Sequence, residues 1–339
     1  MIAAFAATAC SGANATDSAA LATASATPAA TASSPPSGST LGLGNGAGGD
    51  PGVLMSGLPA GCAREGNPVL VAESGLFELD PRKATVSPLA RSCAMPATGQ
   101  FPVLAVSRDA RISTVNDHWS LVRETAPNMC APAELLIPDA FGTAGYAVGM
   151  ANVTLGTEDS TMFLAVLPFD DSQSPLGAYR LLERTSDGKV QRRPVFGSNL
   201  GYGGLTGSSD GRLFTAFESN YDPVGAAGSP RTGIIFRGFQ ELDAQAGTAR
   251  GAPIRYTGEP LERTANRLPI VFWGGALWFI LGRPDLTEMG GYKIREMVAL
   301  RYDFAKQRFE TPVVLPNAPR DLQGAAVSTC APLIDNGPK

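Results

Sequence analysis

From Val69 onward the chain repeats one phrase: a short apolar run, a tight polar or glycine turn, and a second apolar run ending on a polar residue. Val69-Leu-Val-Ala is answered by Leu76-Phe-Glu-Leu-Asp80, and Val103-Leu-Ala-Val by Ile112-Ser-Thr-Val-Asn-Asp117. Tyr146-Ala-Val-Gly is answered by Met162-Phe-Leu-Ala-Val-Leu-Pro-Phe-Asp170. Tyr202-Gly-Gly-Leu leads through Asp210-Gly211 to Leu213-Phe-Thr-Ala-Phe-Glu218, and Pro269-Ile-Val-Phe-Trp273 through Gly274-Gly275 to Leu277-Trp-Phe-Ile-Leu281. Short apolar runs bounded by turn residues predict strands, and Asp-Gly and Gly-Gly supply the positive φ of two-residue hairpin turns. A second hairpin follows in the later units: Tyr179–Arg184 with Lys189–Val195, Ile234–Phe239 with Ala249–Ile254, and Met297–Tyr302 with Arg308–Val314.

Two hairpins per unit make four strands, the content of one β-propeller blade. The units start at Val69, Val103, Tyr146, Tyr202 and Leu268, spaced 34, 43, 56 and 66 residues apart, so the repeat lengthens toward the C-terminus. The predicted fold class is all-β, a β-propeller of about five to seven irregular blades, with β-sandwich domains as the alternative. A last strand-like piece, Gly324–Ile334, predicts a ring closed by strands from both termini.

Composition agrees with this pattern. Of 339 residues, 44% are hydrophobic and 17% charged, which supplies a substantial core. The 39 Gly and 27 Pro fall mostly at the ends of apolar runs and favour turns and strands. A net charge of −4 with no basic cluster leaves little to neutralise a phosphate backbone or an anionic membrane, so nucleic acid is not an expected partner. The longest apolar run, Ile270–Leu281, has 12 residues interrupted by Gly274 and Gly275, whereas a spanning helix needs roughly 20.

The first nine residues are short, small and apolar and lead into Cys10-Ser11-Gly12. This resembles the tail of a bacterial lipoprotein signal peptide, in which small residues precede a Cys that becomes acylated. Ala7 stands where Leu is usual, and the first basic residue is Arg64, so the positively charged region of such a peptide requires an upstream start. Residues 11–57 are almost wholly Ala, Ser, Thr, Pro and Gly, a composition that cannot offset its ordering entropy and reads as a disordered tether. The expected organisation is a residual signal segment over 1–10, a tether over 11–57 and a propeller over 58–336. The whole resembles bacterial propeller lipoproteins, which implies export and a lipid anchor on Cys10, on the periplasmic or outer surface of the cell envelope. Four cysteines remain, Cys62, Cys93, Cys130 and Cys330, and an even number in an oxidising compartment suggests two disulfides. The favoured pairs are Cys62 with Cys330, which bracket the body, and Cys93 with Cys130, which lie one unit apart.

Candidate chemistry is sparse. Gly207-Ser208-Ser209-Asp210-Gly211 matches the Gly-x-Ser-x-Gly pattern, yet a strand follows it where a nucleophile elbow has a helix, and the only histidine, His118, precedes it. Ser209 therefore reads as a turn residue. No two cysteines are close enough in sequence to suggest a metal site. One regularity remains: the second strand of each unit ends in or near a carboxylate, at Asp80, at Asp117 beside His118, at Asp170 and Asp171, at Glu218 and Asp222, and at Asp285. On one face of a propeller these residues form a candidate ligand-binding surface. Its chemistry suits hydroxyl groups, or a calcium ion as the one cofactor to consider. The expected function is a monomeric, non-catalytic binding or scaffold module for an unknown protein or polysaccharide. The alternative is a carbohydrate- or lactone-active hydrolase using those carboxylates as acid and base.

Overall fold

The computed structural model describes residues 58–90, 103–115, 119–126, 128–132, 134–136, 146–167, 178–195, 201–221, 233–264, 268–284 and 294–335. All of them belong to the second of the two compact units into which the chain divides, Val53–Lys339.

Each expected apolar run contains a strand among the described residues, although Arg308–Val314 is split into two short strands and Gly324–Ile334 is strand only as far as Ala326, and the strands form five antiparallel sheets. The first sheet contains β1 (Val69–Ala72), β2 (Gly75–Asp80) and β3 (Thr85–Pro88). The second contains β4 (Val103–Val106), β5 (Ile112–Val115) and β6 (Ser120–Ala126), with β7 (Met129–Cys130) and β8 (Glu134–Leu135) both paired to β6. β9 (Tyr146–Leu155), β10 (Glu158–Leu167), β11 (Ala178–Arg184) and β12 (Val190–Val195) make the third. The fourth is β13 (Gly201–Gly207), β14 (Leu213–Tyr221), β15 (Gly233–Asp243) and β16 (Thr248–Arg255). In the fifth, β17 (Ile270–Trp273), β18 (Ala276–Pro284) and β19 (Ile294–Asp303) carry β20 (Arg308–Phe309) and β21 (Val313–Val314) on their outer side. The last strand, β22 (Leu322–Ala326), returns to the first sheet and pairs with β1, giving the order β22-β1-β2-β3.

The innermost strands β22, β4, β9, β13 and β17 pack on one another in a closed ring, so the body is a five-bladed β-propeller. Five apolar cores lie between successive blades. Strand β1 shows the logic: Val69 and Val71 pack toward Leu104 and Val106 of blade 2, whereas Leu70 and Ala72 pack toward Val271 and Trp273 of blade 5. Both faces of such a strand are covered, so it reads as a continuous apolar run without polar alternation. The junction of blades 4 and 5 is the aromatic one, with Phe236 4.5 Å from Phe279 and Phe214 stacked on Phe272 at 5.8 Å.

The expected closure by both termini holds, but it changes the role of the first phrase. Val69–Ala72 and Gly75–Asp80 are the second and third strands of blade 1, because the C-terminal β22 supplies its innermost strand. The segment after β22 then crosses the end of the axis. Ser328 bridges to Val106, Thr329 Oγ1 donates to Asp159 Oδ2 (2.7 Å), Gly66 N donates to Cys330 O (3.1 Å), and Gly274 N donates to Pro332 O (2.7 Å). This segment thus touches blades 1, 2, 3 and 5, and the Cys62–Cys330 disulfide pins it to the entering chain. Cys130 is also disulfide-bonded, while Cys93, its expected partner, lies outside the described residues.

Outer strands of a propeller blade present unpaired backbone. Here Pro88 ends β3, Pro194 and Pro253 sit inside β12 and β16, and Pro312 precedes β21. A proline has no N–H to offer another strand, so these edges discourage edge-to-edge association.

Two turn designs recur. Asp80, Asp243 and Asp303 each accept two amides of their own turn: from Arg82 and Lys83 (3.0 and 3.2 Å), from Gln245 and Ala246 (3.0 and 2.8 Å), and from Ala305 and Lys306 (2.9 and 3.1 Å). Each turn ends on a left-handed residue, Ala84, Gly247 or Gln307. All three carboxyls are held below the ordinary 3.8. For Asp243 the main cause is the Ala246 amide; for Asp80 and Asp303 burial pushes upward and is outweighed by Lys83 or Lys306 and the turn amides. The folded values lie below the unfolded ones, so this stabilisation is complete above about pH 4 and is lost as pH falls through the lowered values. Melting temperature is expected to drop below about pH 4, and less steeply in Asp243→Asn. An equally steep acid limb in that variant would refute the assignment.

Candidate functional site

A propeller has two faces. Here one face carries the hairpin turns after each innermost strand and before each outer one, and the other carries the connections between the middle strands and the crossovers between blades. The hairpin face is closed at its centre by the segment Val327–Ala331, every residue of which is buried. The cavity lined by Val103, Gly149, Gly204, Leu268 and Gln323 measures about 20 Å³, room for about one water molecule.

Of the carboxylates expected to share a face, Asp80 and Glu218 are among the described residues, and they do not share one. Asp80 lies on the hairpin face, where its Oδ1 caps the β2–β3 turn and its Oδ2 meets Lys83 Nζ at 2.9 Å. Glu218 lies near the crossover end of β14, paired with Gly201 at the start of β13. The reason is the phase shift at the seam: β2 is the third strand of its blade and runs opposite to β14, the second strand of its own. Asp80 is thus corrected from a ligand-face candidate to a turn-capping residue. Asp117, His118, Asp170, Asp171, Asp222 and Asp285 lie outside the described residues, as does Cys10.

Glu218 is largely buried, its side chain 13% exposed, and its Oε1 accepts a hydrogen bond from Arg263 Nη1 at 2.8 Å. Arg263 belongs to the crossover from blade 4 to blade 5. That crossover is tied to β15 by Phe236 N donating to Leu261 O (2.8 Å) and Arg263 N donating to Ile234 O (3.2 Å). The next residue, Thr264, donates to Leu322 O at 2.7 Å, so the same strap reaches the inner strand of blade 1. A guanidinium and a carboxylate fixed in this way toward the crossover end of blade 4 carry both donors and an acceptor for a polar group.

On the hairpin face, Ser209 sits in the β13–β14 turn, in agreement with its reading as a turn residue. The turn is closed by Ser208, whose single O–H is shared between Asp210 and Arg212 O and whose oxygen accepts from Arg212 N. Ser107-Arg-Asp109-Ala-Arg111 and Thr185-Ser-Asp187-Gly-Lys189 repeat the pattern, with the hydroxyl donating to the Asp two residues on. The Ser/Thr-x-Asp-Gly/Ala-Arg/Lys spacing was visible in the sequence and marks hairpin turns in three blades. The clamp Arg108–Asp159, joined at 2.8 Å and completed by Thr154 and Thr329, carried no such signal, because its members are far apart along the chain. No group of three or more His, Cys, Asp or Glu side chains able to hold a metal occurs among the described residues.

No protein-family model and no curated protein matches the chain. Solved structures do resemble it in fold. A protein of unknown function from Bacteroides caccae aligns over 78% of this chain and 99% of its own, with 9% identity and a TM-score of 0.38. An exo-beta-1,3-galactanase from Phanerochaete chrysosporium aligns over 73% of this chain and 54% of its own, with 9% identity and a TM-score of 0.43. Virginiamycin B lyase from Staphylococcus aureus aligns over 66% and 87%, with 11% identity and a TM-score of 0.31. Likenesses of this order carry no argument about chemistry.

Proposed function

We propose that this chain is an exported, envelope-tethered propeller that binds a protein or polysaccharide partner at its crossover face without catalysis of its own. The observation that carries the reading is a difference between the two faces: the hairpin face is covered at its centre by a disulfide-pinned segment, whereas Glu218 and Arg263 form a largely buried ion pair toward the crossover end of blade 4. The disulfide supports an oxidising compartment, since such bonds persist mainly outside the reducing cytosol. Cys10 and the Ala/Ser/Thr/Pro/Gly-rich segment after it support the lipid anchor and tether. Binding to an array of bacterial and plant polysaccharides tests the reading. Glu218→Gln, which keeps the size of the side chain and removes its charge, is expected to weaken retention at least fivefold, measured at a temperature well below the lowered melting point that loss of the buried pair with Arg263 brings. Equal retention would remove Glu218 from the site.

A second reading, hydrolysis of a carbohydrate or lactone, is favoured by one feature. Strands β5, β10, β14 and β18 all end on the crossover face, and Asp117, Asp170, Asp171, Asp222 and Asp285 follow those strands in sequence. A glycosidase needs two carboxyls about 5–10 Å apart. New reducing ends released from any bound polysaccharide, and abolished by Glu218→Gln, would replace the binding reading with this one.

A further inference from the structure

We propose that a groove on the hairpin face, between blades 3 and 4, is a separate binding site for a neutral polyhydroxylated ligand, a single sugar unit being the simplest case. It lies on the face opposite Glu218 and stands independently of the function proposed above. The groove has a volume of about 440 Å³ and is bounded by the β9–β10 turn at Gly156, by Asp210 and Arg212 of the β13–β14 turn, and by Asp243 and Arg250 of the β15–β16 hairpin. Small-molecule sites span roughly 300 to 1,000 Å³, so one or two sugar rings fit.

Its walls are fixed before any ligand arrives. Thr154 N donates to Ser208 O at 3.2 Å and ties the turns of the two blades together. Arg212 lies over Phe304 at 4.2 Å and over Phe214 at 4.7 Å, and its Nη2 donates to Glu241 at 3.3 Å. Arg250 donates to Glu241 at 3.5 Å and to Asp243 at 3.1 Å. Preorganisation of this kind lowers the entropic cost of binding.

The charge pattern selects the ligand class. Both guanidiniums are paired with carboxylates, so an anion meets no uncompensated cation, and among the described residues no group of three metal-ligating side chains draws a divalent ion. Hydrogen-bonding capacity nevertheless remains, since a guanidinium has five N–H groups and a carboxylate about four acceptor positions, and the bonds above engage only part of them. Paired guanidiniums set beside the Asp210 and Asp243 carboxylates suit vicinal hydroxyls, each of which gives and accepts a hydrogen bond.

Saturation-transfer NMR on the full chain with glucose, galactose, mannose and N-acetylglucosamine tests the site. At least one of the four is expected to bind in the millimolar range. Arg250 is 60% exposed, so Arg250→Ala leaves the fold intact and should weaken that binding at least tenfold, as should Asp210→Asn, while Lys189→Ala on the neighbouring blade 3 turn should not. The proposal is overturned if none of the four sugars binds, if both groove variants bind like the wild type, or if the signal is lost in Glu218→Gln instead.

Discussion

A chain ending at Arg320 should fail to fold cooperatively. It lacks β22, which pairs with β1 at Val69, Leu70 and Val71 through Ala326, Ala325 and Gly324 and also packs against the inner strands of blades 2 and 5. Without it the wholly buried Val69–Ala72 becomes an exposed apolar edge, and Leu322, Ala325, Ala326 and Val327 are missing from the cores on both sides of blade 1. Open apolar edges of this kind recruit other chains, so the truncated protein is expected to aggregate. A synthetic peptide of residues 319–335 should restore the missing strand in trans. Near-ultraviolet circular dichroism and protease resistance report both effects, and a truncated chain that melts within a few degrees of the full one would refute the closure. The disulfide contributes separately. Cys62 and Cys330 are 268 positions apart, and closing a loop of that length stabilises by about 3–5 kcal/mol less any strain, so Cys330→Ser should lower stability substantially in oxidising buffer and little in reductant.

Gly204→Ala should cost about 3 kcal/mol or more and lower the melting temperature by roughly 5–10 °C. Gly204 sits in a bulge of β13 at a φ of +78°, and a Cβ there would lie 2.0 Å from Leu268 O on the neighbouring blade. The clashing atom is main chain beside the inner strand of blade 5, so neither backbone can retreat without shifting a blade. Gly149 meets the same constraint from the other side, where a Cβ would lie 2.6 Å from Leu205 N. Gly156 is the control: its φ is +68° but nothing lies within 4 Å of a Cβ, so Gly156→Ala should show the backbone penalty alone, about 1 kcal/mol. Equal losses in thermal denaturation for Gly204→Ala and Gly156→Ala would show that close approach at the axis contributes nothing.

Much of this architecture is legible along the chain. The apolar runs place the strands, Asp-Gly and Gly-Gly place hairpin turns, and the bracketing cysteines indicate the closure that the Cys62–Cys330 bond makes. Periodicity places the blade count only between five and seven, because unit starts 34, 43, 56 and 66 residues apart give no fixed repeat, and the structure resolves it at five. The carboxylate face was legible only in part. Acidic residues do end strands in every unit, but which end of a strand faces which side depends on strand polarity within the blade. Asp80 and Glu218 occupy the same position in the phrase and opposite faces of the disc.

What the sequence determined by itself is what local chemistry controls: strand positions, from runs that can be buried on both sides, and turn positions, from residues that tolerate or cap a reversal. Tertiary structure alone decided that β22, the last described strand, becomes the innermost strand of the first blade, and with it the covered centre of the hairpin face and the separation of Asp80 from Glu218. The physical reason is that a ring of sheets has one seam. Its position is set by which strands can cover the exposed edge of β1 and both neighbouring cores at once, a condition met only when residues some 250 positions apart come together.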